Sequence, residues 1–334
     1  MTGKTIRTAC VASVAYVLVL GAAFPVAPAS QMLPVSTEVI TAFQRGSSET
    51  RFGSLEFMGG IQYSSSDSRL GGVSSIRFRE DGRTFVAVLD TGGWMTGSVV
   101  RDSAGRIAGL GSLSVAPMSG GGSGKSEKFE VDAEGLALGA GRLIVSYERR
   151  HRISVYPDPG FATASPQAMD MVIPEHELRA NGGIETVAVA PSGSPLDGAV
   201  VAVAERSIDS DGNLFAAVLD GPMSGVFKVV RNEPWAVTDG AFLPDRDLLL
   251  LERRFSFTGG VGMRIRRIDG RSIRPGSVVD GAVLIEAGMG AEIDNMEGLD
   301  VIPGPDGDIR IVIVSDDNRS FLQRNLMLEF RLAE

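Results

Sequence analysis

The apolar positions of this chain fall in short runs of about five to nine residues, rich in Val, Ile, Leu and Ala and cut by Gly, Asp, Ser and Pro clusters. Runs of that length with turn residues between them predict β-strands. No sustained period of 3.6 appears, so helices should be few. The runs are organised in copies. Ser74-Ser75 opens a run that turns at Asp81-Gly82 and returns to Asp90; Glu134-Gly135 opens one that turns at Gly139-Ala140-Gly141 and returns to Glu148. Glu185 opens a run that returns to Glu205, Asp239-Gly240 one that turns at Pro244-Asp245 and returns to Glu252, and Glu297-Gly298 one that turns at residues 304–307 and returns to Asp316. The openings lie roughly 50 to 60 residues apart. A period of that size in an all-β pattern predicts a β-propeller.

The first copy reads as four strands, Val73–Phe78, Thr84–Leu89, Trp94–Arg101 and Ala108–Ala116. The second (135–173), third (186–230) and fourth (240–285) also read as four. The fifth supplies only three, Gly298–Ile302, Ile309–Ser315 and Asn325–Leu332, while Phe52–Tyr63 is a strand candidate without a hairpin partner. A ring closes without an open edge if one chain end completes the blade begun by the other. The expectation is therefore five four-stranded blades in one domain over 50–334, closed by an N-terminal strand in the last blade. Residues 30–70 or 101–130 leave room for a sixth, irregular blade. Residues 30–49 read as a polar lead-in with space for one short helical turn, and the Gly/Ser/Lys-rich stretch 119–128 as a loop. Gly124-Lys125-Ser126 is not a phosphate loop, because Ser119 stands where the first Gly is needed and no helix pattern follows.

Residues 1–29 predict a signal peptide: Lys4 and Arg7, an apolar stretch from Ala9 to Phe24, then Ala27-Pro28-Ala29 as a cleavage pattern. A membrane anchor is the alternative, but the apolar stretch is shorter than the ~20 residues a spanning helix needs. A periplasmic or secreted address follows. Cleavage removes Lys4 and Arg7, taking the formal charge from −9 to −11, and with them Cys10, the only cysteine. The mature chain then has no disulfide, thiolate nucleophile or Cys metal site. Its negative charge argues against nucleic acid or an anionic membrane as partner.

The repeated acids carry the candidate chemistry. The start of a blade's first strand and the end of its second lie at the same end of their hairpin. Glu134, Glu185, Asp239 and Glu297 are therefore expected around the channel mouth, with Asp90, Glu148, Glu205, Glu252 and Asp316 as a second tier. So many carboxylates repel unless cations compensate them. Arg149, Arg150, Arg206, Arg253 and Arg254, which follow second-tier acids directly, are one source. A hard metal is the other, since calcium takes six to eight oxygens from carboxylates, amides and carbonyls. Asp294, Asn295, Asp317 and Asn318 would add oxygens. The candidate ligands for Ca²⁺ are Glu134, Glu185, Asp239, Asn295, Glu297 and Asp316; Glu134 and Glu297 are also candidate bases, and Arg149, Arg206 and Arg253 candidate binders of a substrate anion. The bland reading is that the acids brace neighbouring blades through backbone bonds and Arg pairs. Zinc fits poorly, with only His151 and His176, far apart. No serine has the glycines of a nucleophile elbow, and Asp209-Ser210-Asp211-Gly212-Asn213 reads as a turn rather than an EF-hand loop.

At Gly71-Gly72-Val73-Ser74, Asp132-Ala133-Glu134-Gly135-Leu136, Ser146-Tyr147-Glu148-Arg149, Gly183-Ile184-Glu185, Ala204-Glu205-Arg206, Asn295-Met296-Glu297-Gly298-Leu299 and Ser315-Asp316-Asp317-Asn318, the chain resembles the phytase-like family, secreted bacterial propellers also described by an esterase-like activity of phytase. The resemblance covers about residues 50–334 and implies a propeller. It also implies phosphatase or esterase activity on a small anionic or ester substrate. The function expected is a monomeric exported propeller with a calcium-assisted phosphoesterase or esterase site at the channel mouth; the alternative is a non-catalytic binding or scaffold propeller of the cell envelope.

Overall fold

Leu248-Leu249-Leu250-Leu251 shows how the strands are used. Leu248 and Leu250 join one buried cluster, Leu249 and Leu251 another. Successive side chains point to opposite faces of a strand, so an unbroken apolar run means a strand covered on both faces. Ile311 to Val314 divides in the same way between two clusters. A computed structural model describes residues 32–119, 131–256, 259–304 and 306–333. Its strands form five sheets, with a separate apolar cluster wedged between each neighbouring pair. The signal-like segment, and all but the first residue of the stretch 119–128, lie outside the described residues.

The chain begins with β1 (Ser36–Ile40), β2 (Arg51–Phe52) and β3 (Leu55–Ser64). Blade one is β4 (Val73–Phe78), β5 (Thr84–Leu89), β6 (Gly93–Arg101) and β7 (Ile107–Pro117). Blade two is β8 (Ala133–Gly139), β9 (Arg142–Tyr147), β10 (Arg152–Pro157) and β11 (Gln167–Met169). Blade three is β12 (Ile184–Val189), β13 (Val200–Ile208), β14 (Leu214–Val218) and β15 (Gly225–Val229). Blade four is β16 (Ala236–Phe242), β17 (Leu248–Ser256) and β18 (Gly260–Ile268); the chain then lays β19 (Val278–Val279) parallel along β15 and returns as β20 (Gly281–Ala287). Blade five is β21 (Asn295–Pro303), β22 (Ile309–Asp316) and β23 (Asn325–Leu332).

The expected closure is present. β3 pairs antiparallel with β23 from Asn325↔Tyr63 to Leu332↔Leu55. β1 adds outside it, Ser36↔Ser64 to Ile40↔Gly60, so the lead-in contributes a strand rather than a helical turn. Five blades account for the ring, and among the described residues no sixth is built from 32–70. Two 3₁₀ turns, Glu175–Glu177 and Gly270–Ser272, are the only helical elements among the described residues.

The inner strands β4, β8, β12, β16 and β21 contact one another around the axis. Packing there is close: a Cβ on Gly135 would lie 2.3 Å from the Glu185 carbonyl oxygen. That approach explains why glycine follows the acid in blade two.

Candidate functional site

Each inner strand begins with a β-bulge, and the bulge decides which side chain faces the channel mouth. In blade three, Ile184 pairs with Ala204 and Thr186 with Val203, leaving Glu185 unpaired. In blade five, Met296↔Ser315 is followed by Gly298↔Val314, leaving Glu297. Blade one leaves Ser74 in the same way, and Glu134 falls within the corresponding bulge of blade two, between Ala133 and Leu136. Blade four pairs Val237 with Glu252 and Asp239 with Leu251, so its unpaired residue is Thr238. A bulge re-aims one side chain and shifts the alternation after it.

The register corrects the expectation for blade four. The second-strand residue one step past the pair that precedes the bulge is Asp90, Glu148, Glu205 or Asp316 in four blades, but Arg253 in blade four. Asp239 and Glu252 each stand one position off the ring. Asp239 is fully buried, and both its oxygens accept from Arg77, at 2.8 and 2.9 Å. It also accepts from Ser75 Oγ and the Leu299 N–H. It is not a candidate metal ligand. Glu252 is held by Arg264 and Arg266, away from the mouth.

Arg77 closes the channel below the mouth. Its guanidinium donates to the carbonyls of Ile76 (2.6 Å), Leu299 (2.7 Å), Gly240 (2.9 Å) and Val187 (3.1 Å), which belong to the inner strands of four blades. The Arg77–Asp239 pair thus spans the channel between the inner strands of four blades.

The cup at the mouth has a volume of about 390 Å³. Among the described residues, eight carboxylates line it: Asp90, Asp132, Glu134, Glu148, Glu185, Glu205, Glu297 and Asp316. Seven were expected from the repeat; Asp132 was not, although its place two residues before Glu134 is a signal. Ser74, Asn181 and Asn318 add neutral oxygens, and Arg149, Arg206 and Arg253 are the cations in its wall. Arg149 pairs with Asp132; Arg206 with Glu205 at 3.1 Å; Arg253 with Glu297 at 2.8 Å and Glu205 at 3.7 Å. Asn295 sits one layer back: its Nδ2 donates to Glu297 (2.6 Å) and its oxygen accepts from Arg253. Asp209, by contrast, accepts from the Asp211 and Asn213 N–H groups and from Lys228, as an ordinary turn residue does.

Two overlapping acid groups bring their oxygens within 4.8 Å of one another: Asp132, Glu134 and Glu148, and Glu148, Glu185 and Glu205. Glu148 belongs to both, and it also accepts from the Gly182 N–H. Glu185 is 8% exposed, and none of the hydrogen bonds or ion pairs among the described residues reaches its carboxylate. Burial, then repulsion by Glu134 and Glu205, pushes it well above the usual carboxylate range. Burial does the same to Glu134, reinforced by Asp132, Glu148 and Glu297. Glu148 is raised mainly by burial, against the opposing Gly182 N–H. Glu297 is pushed up to about 7 by burial, opposed by Arg253. Asp316 is raised to about 6, again mainly by burial.

Fold and site together define a five-bladed propeller with a closed channel and a carboxylate cup at one mouth. The chain belongs to the phytase-like family, described as "Esterase-like activity of phytase", which it matches over residues 68–319. No curated protein sequence matches it. Among solved structures it is similar to an endo-arabinase from Bacteroides thetaiotaomicron (12% identity, 78% of this chain, 94% of that one, TM-score 0.45). It is also similar to U3-55K (10% identity, 84% and 98%, TM-score 0.40) and to the hydrazine synthase of Kuenenia stuttgartiensis (14% identity, 76% and 59%, TM-score 0.36).

Proposed function

We propose that the cup binds divalent cations, calcium foremost, and that the protein is a metal-assisted phosphoesterase or esterase working at that mouth. The observation that supports this is the pair of acid groups joined at Glu148, with the Glu185 carboxylate buried in one of them and left unpaired. Eight carboxylates face three guanidiniums there. Carboxylate and amide oxygens in irregular array suit calcium better than the tight octahedron of magnesium. A bound cation would polarise a phosphoryl or carbonyl oxygen. Arg206 and Arg253, at the rim, would hold the substrate's anionic oxygens, bidentately where geometry allows. Glu297, poised near neutrality, suits the base that takes the proton of the attacking water. Arg77 spans the channel between four inner strands, so substrate would enter and product leave by the cup's mouth.

Export to the periplasm or beyond belongs to the same proposal and is supported by the basic, apolar and Ala-x-Ala order of residues 1–29. The test is calorimetry of the mature protein with calcium and with EDTA, beside hydrolysis of p-nitrophenyl phosphate and p-nitrophenyl acetate. Calcium should raise the melting temperature and support turnover of one ester. A transition indifferent to both calcium and chelator, with no turnover, would leave the acids structural and favour the scaffold reading. The Arg77–Asp239 plug, which braces blades without any ligand, is the feature that reading would rest on.

A further inference from the structure

Beside the acidic cup, on the same face, lies a larger groove of about 980 Å³ with the opposite charge. Arg206 and Arg253 line both, so the two spaces adjoin at the proposed reaction centre. Six guanidiniums line the groove (Arg45, Arg206, Arg231, Arg253, Arg254 and Arg324) against the two carboxylates of Glu233 and Asp294. In a chain of formal charge −9 that is a local reversal. Most of these arginines are engaged: Arg45 and Arg324 with Glu292, Arg231 with Glu233, Arg206 and Arg253 with the cup. Arg254 makes no ion pair among the described residues. Its guanidinium lies 5.1 Å from the centre of the buried Trp235 ring, which Arg264 also faces. This cation–π contact holds the Arg254 head against the ring, and no carboxylate among the described residues pairs with it.

The other wall is apolar. Phe255 is 69% exposed, Met289 61% and Leu322 78%, and all three line this one groove. Large exposed apolar side chains gathered in one concave site mark a binding surface more than chance exposure does. A polyhydroxylated anion would use the arginines and leave this wall in water. A neutral lipid would use the wall and leave Arg254 unpaired.

We infer that the groove binds the organic part of the substrate, and that the substrate is an anionic amphiphile: an ester carrying a negative charge and an alkyl or aryl arm. The anionic group lies on Arg254 and the apolar arm on Phe255, Met289 and Leu322. The reacting ester is then presented past Arg253 and Arg206 to the cup. The assignment of this ligand as substrate rests on the hydrolytic reading of the cup; the binding itself does not.

The test uses the mature protein in EDTA with three probes below their micellar concentrations: octyl phosphate, inorganic phosphate and octyl glucoside. Titration calorimetry should give octyl phosphate at least about tenfold tighter binding than either of the others, since it alone uses both walls. Arg254→Gln and Leu322→Ser should each weaken octyl phosphate about fivefold or more; Leu322 is too exposed for its loss to disturb folding. Inorganic phosphate or octyl glucoside binding as tightly as octyl phosphate would overturn the inference. So would affinity unchanged in both variants. The calcium-dependent melting shift is read on the same protein preparation without probes, in calcium and in EDTA. A shift without octyl phosphate binding removes the groove assignment alone. Octyl phosphate binding without a shift removes the metal reading and leaves the groove as a binding site.

Discussion

Blades three and four carry the same element in opposite roles. At the bulge of β12, Glu185 enters the cup and makes no ion pair among the described residues; at the bulge of β16 the side chain is Thr238, and the acid, Asp239, is one step further on. That step places Asp239 against Arg77 inside the channel, where it helps join four blades. The ends of the second strands differ likewise: Glu205 faces the cup, whereas blade four offers Arg253, and its acid Glu252 is buried on Arg264 and Arg266. In blade four both of these acids, Asp239 and Glu252, are answered by the protein's own arginines. The other blade leaves a charge to be answered from outside. Burying an unpaired carboxylate costs free energy that packing elsewhere must offset, and such a deficit in a concave site is the usual mark of a ligand position.

The largest effect should come from the paired acid. Asp239→Asn takes from the buried Arg77 guanidinium its paired carboxylate, leaving only Asp300 nearby; breaking such a buried pair typically costs about 3–5 kcal/mol. Urea unfolding should show that loss, and the calcium-induced rise in melting temperature should survive. If the calcium effect vanished instead, the two blades would not differ as described.

Glu185→Gln should do the reverse. It keeps the shape, removes a repelled charge and raises the stability of the metal-free protein. The calcium increment, about 2.7 kcal/mol at a hundredfold excess over Kd, should largely disappear. Differential scanning calorimetry of the variant in calcium and in EDTA checks both halves.

A pH series sharpens the same contrast. Glu297 at about 7 and Asp316 at about 6 bind protons more tightly in the folded than in the unfolded chain. Their contribution to stability is complete below their unfolded values and is lost as pH rises through the folded ones. In EDTA, stability should therefore increase as pH falls from about 8 to about 5, by on the order of 1–3 kcal/mol. Calcium needs the ionised forms, so it should flatten or invert that slope. A metal-free slope of the opposite sign would show that the cup acids are not held above their ordinary range.

The smallest change is expected at Thr238, whose buried hydroxyl donates to the Met296 carbonyl at 3.1 Å. Thr238→Val should cost about 1 kcal/mol and leave the calcium shift untouched. An altered calcium shift would mean that blade four takes part in the cup through more than Arg253.

Much of this architecture is legible in the residue order. Double-sided apolar runs such as Leu248–Leu251, turns at Gly82 and Gly141, and acids recurring at each hairpin opening specify a ring of short strands. The missing strand of the last copy and the spare one at the start specify its closure. These are local signals, because side-chain alternation and turn chemistry depend on a few neighbouring residues. Which acid faces the mouth is not local. Asp239-Gly240 has the look of Glu134-Gly135, but the bulge that ranks it with Ser75 and Gly298 forms only when β16 pairs with β17, and a one-residue slip sends a side chain to the other face. The arginine groove is less legible still. Arg45, Arg231, Arg254 and Arg324 are separated by up to most of the chain, and nothing in their flanking residues links them. They meet because blade five is completed from the N-terminus and then packs on blade four, and that juxtaposition exists only once the ring has closed.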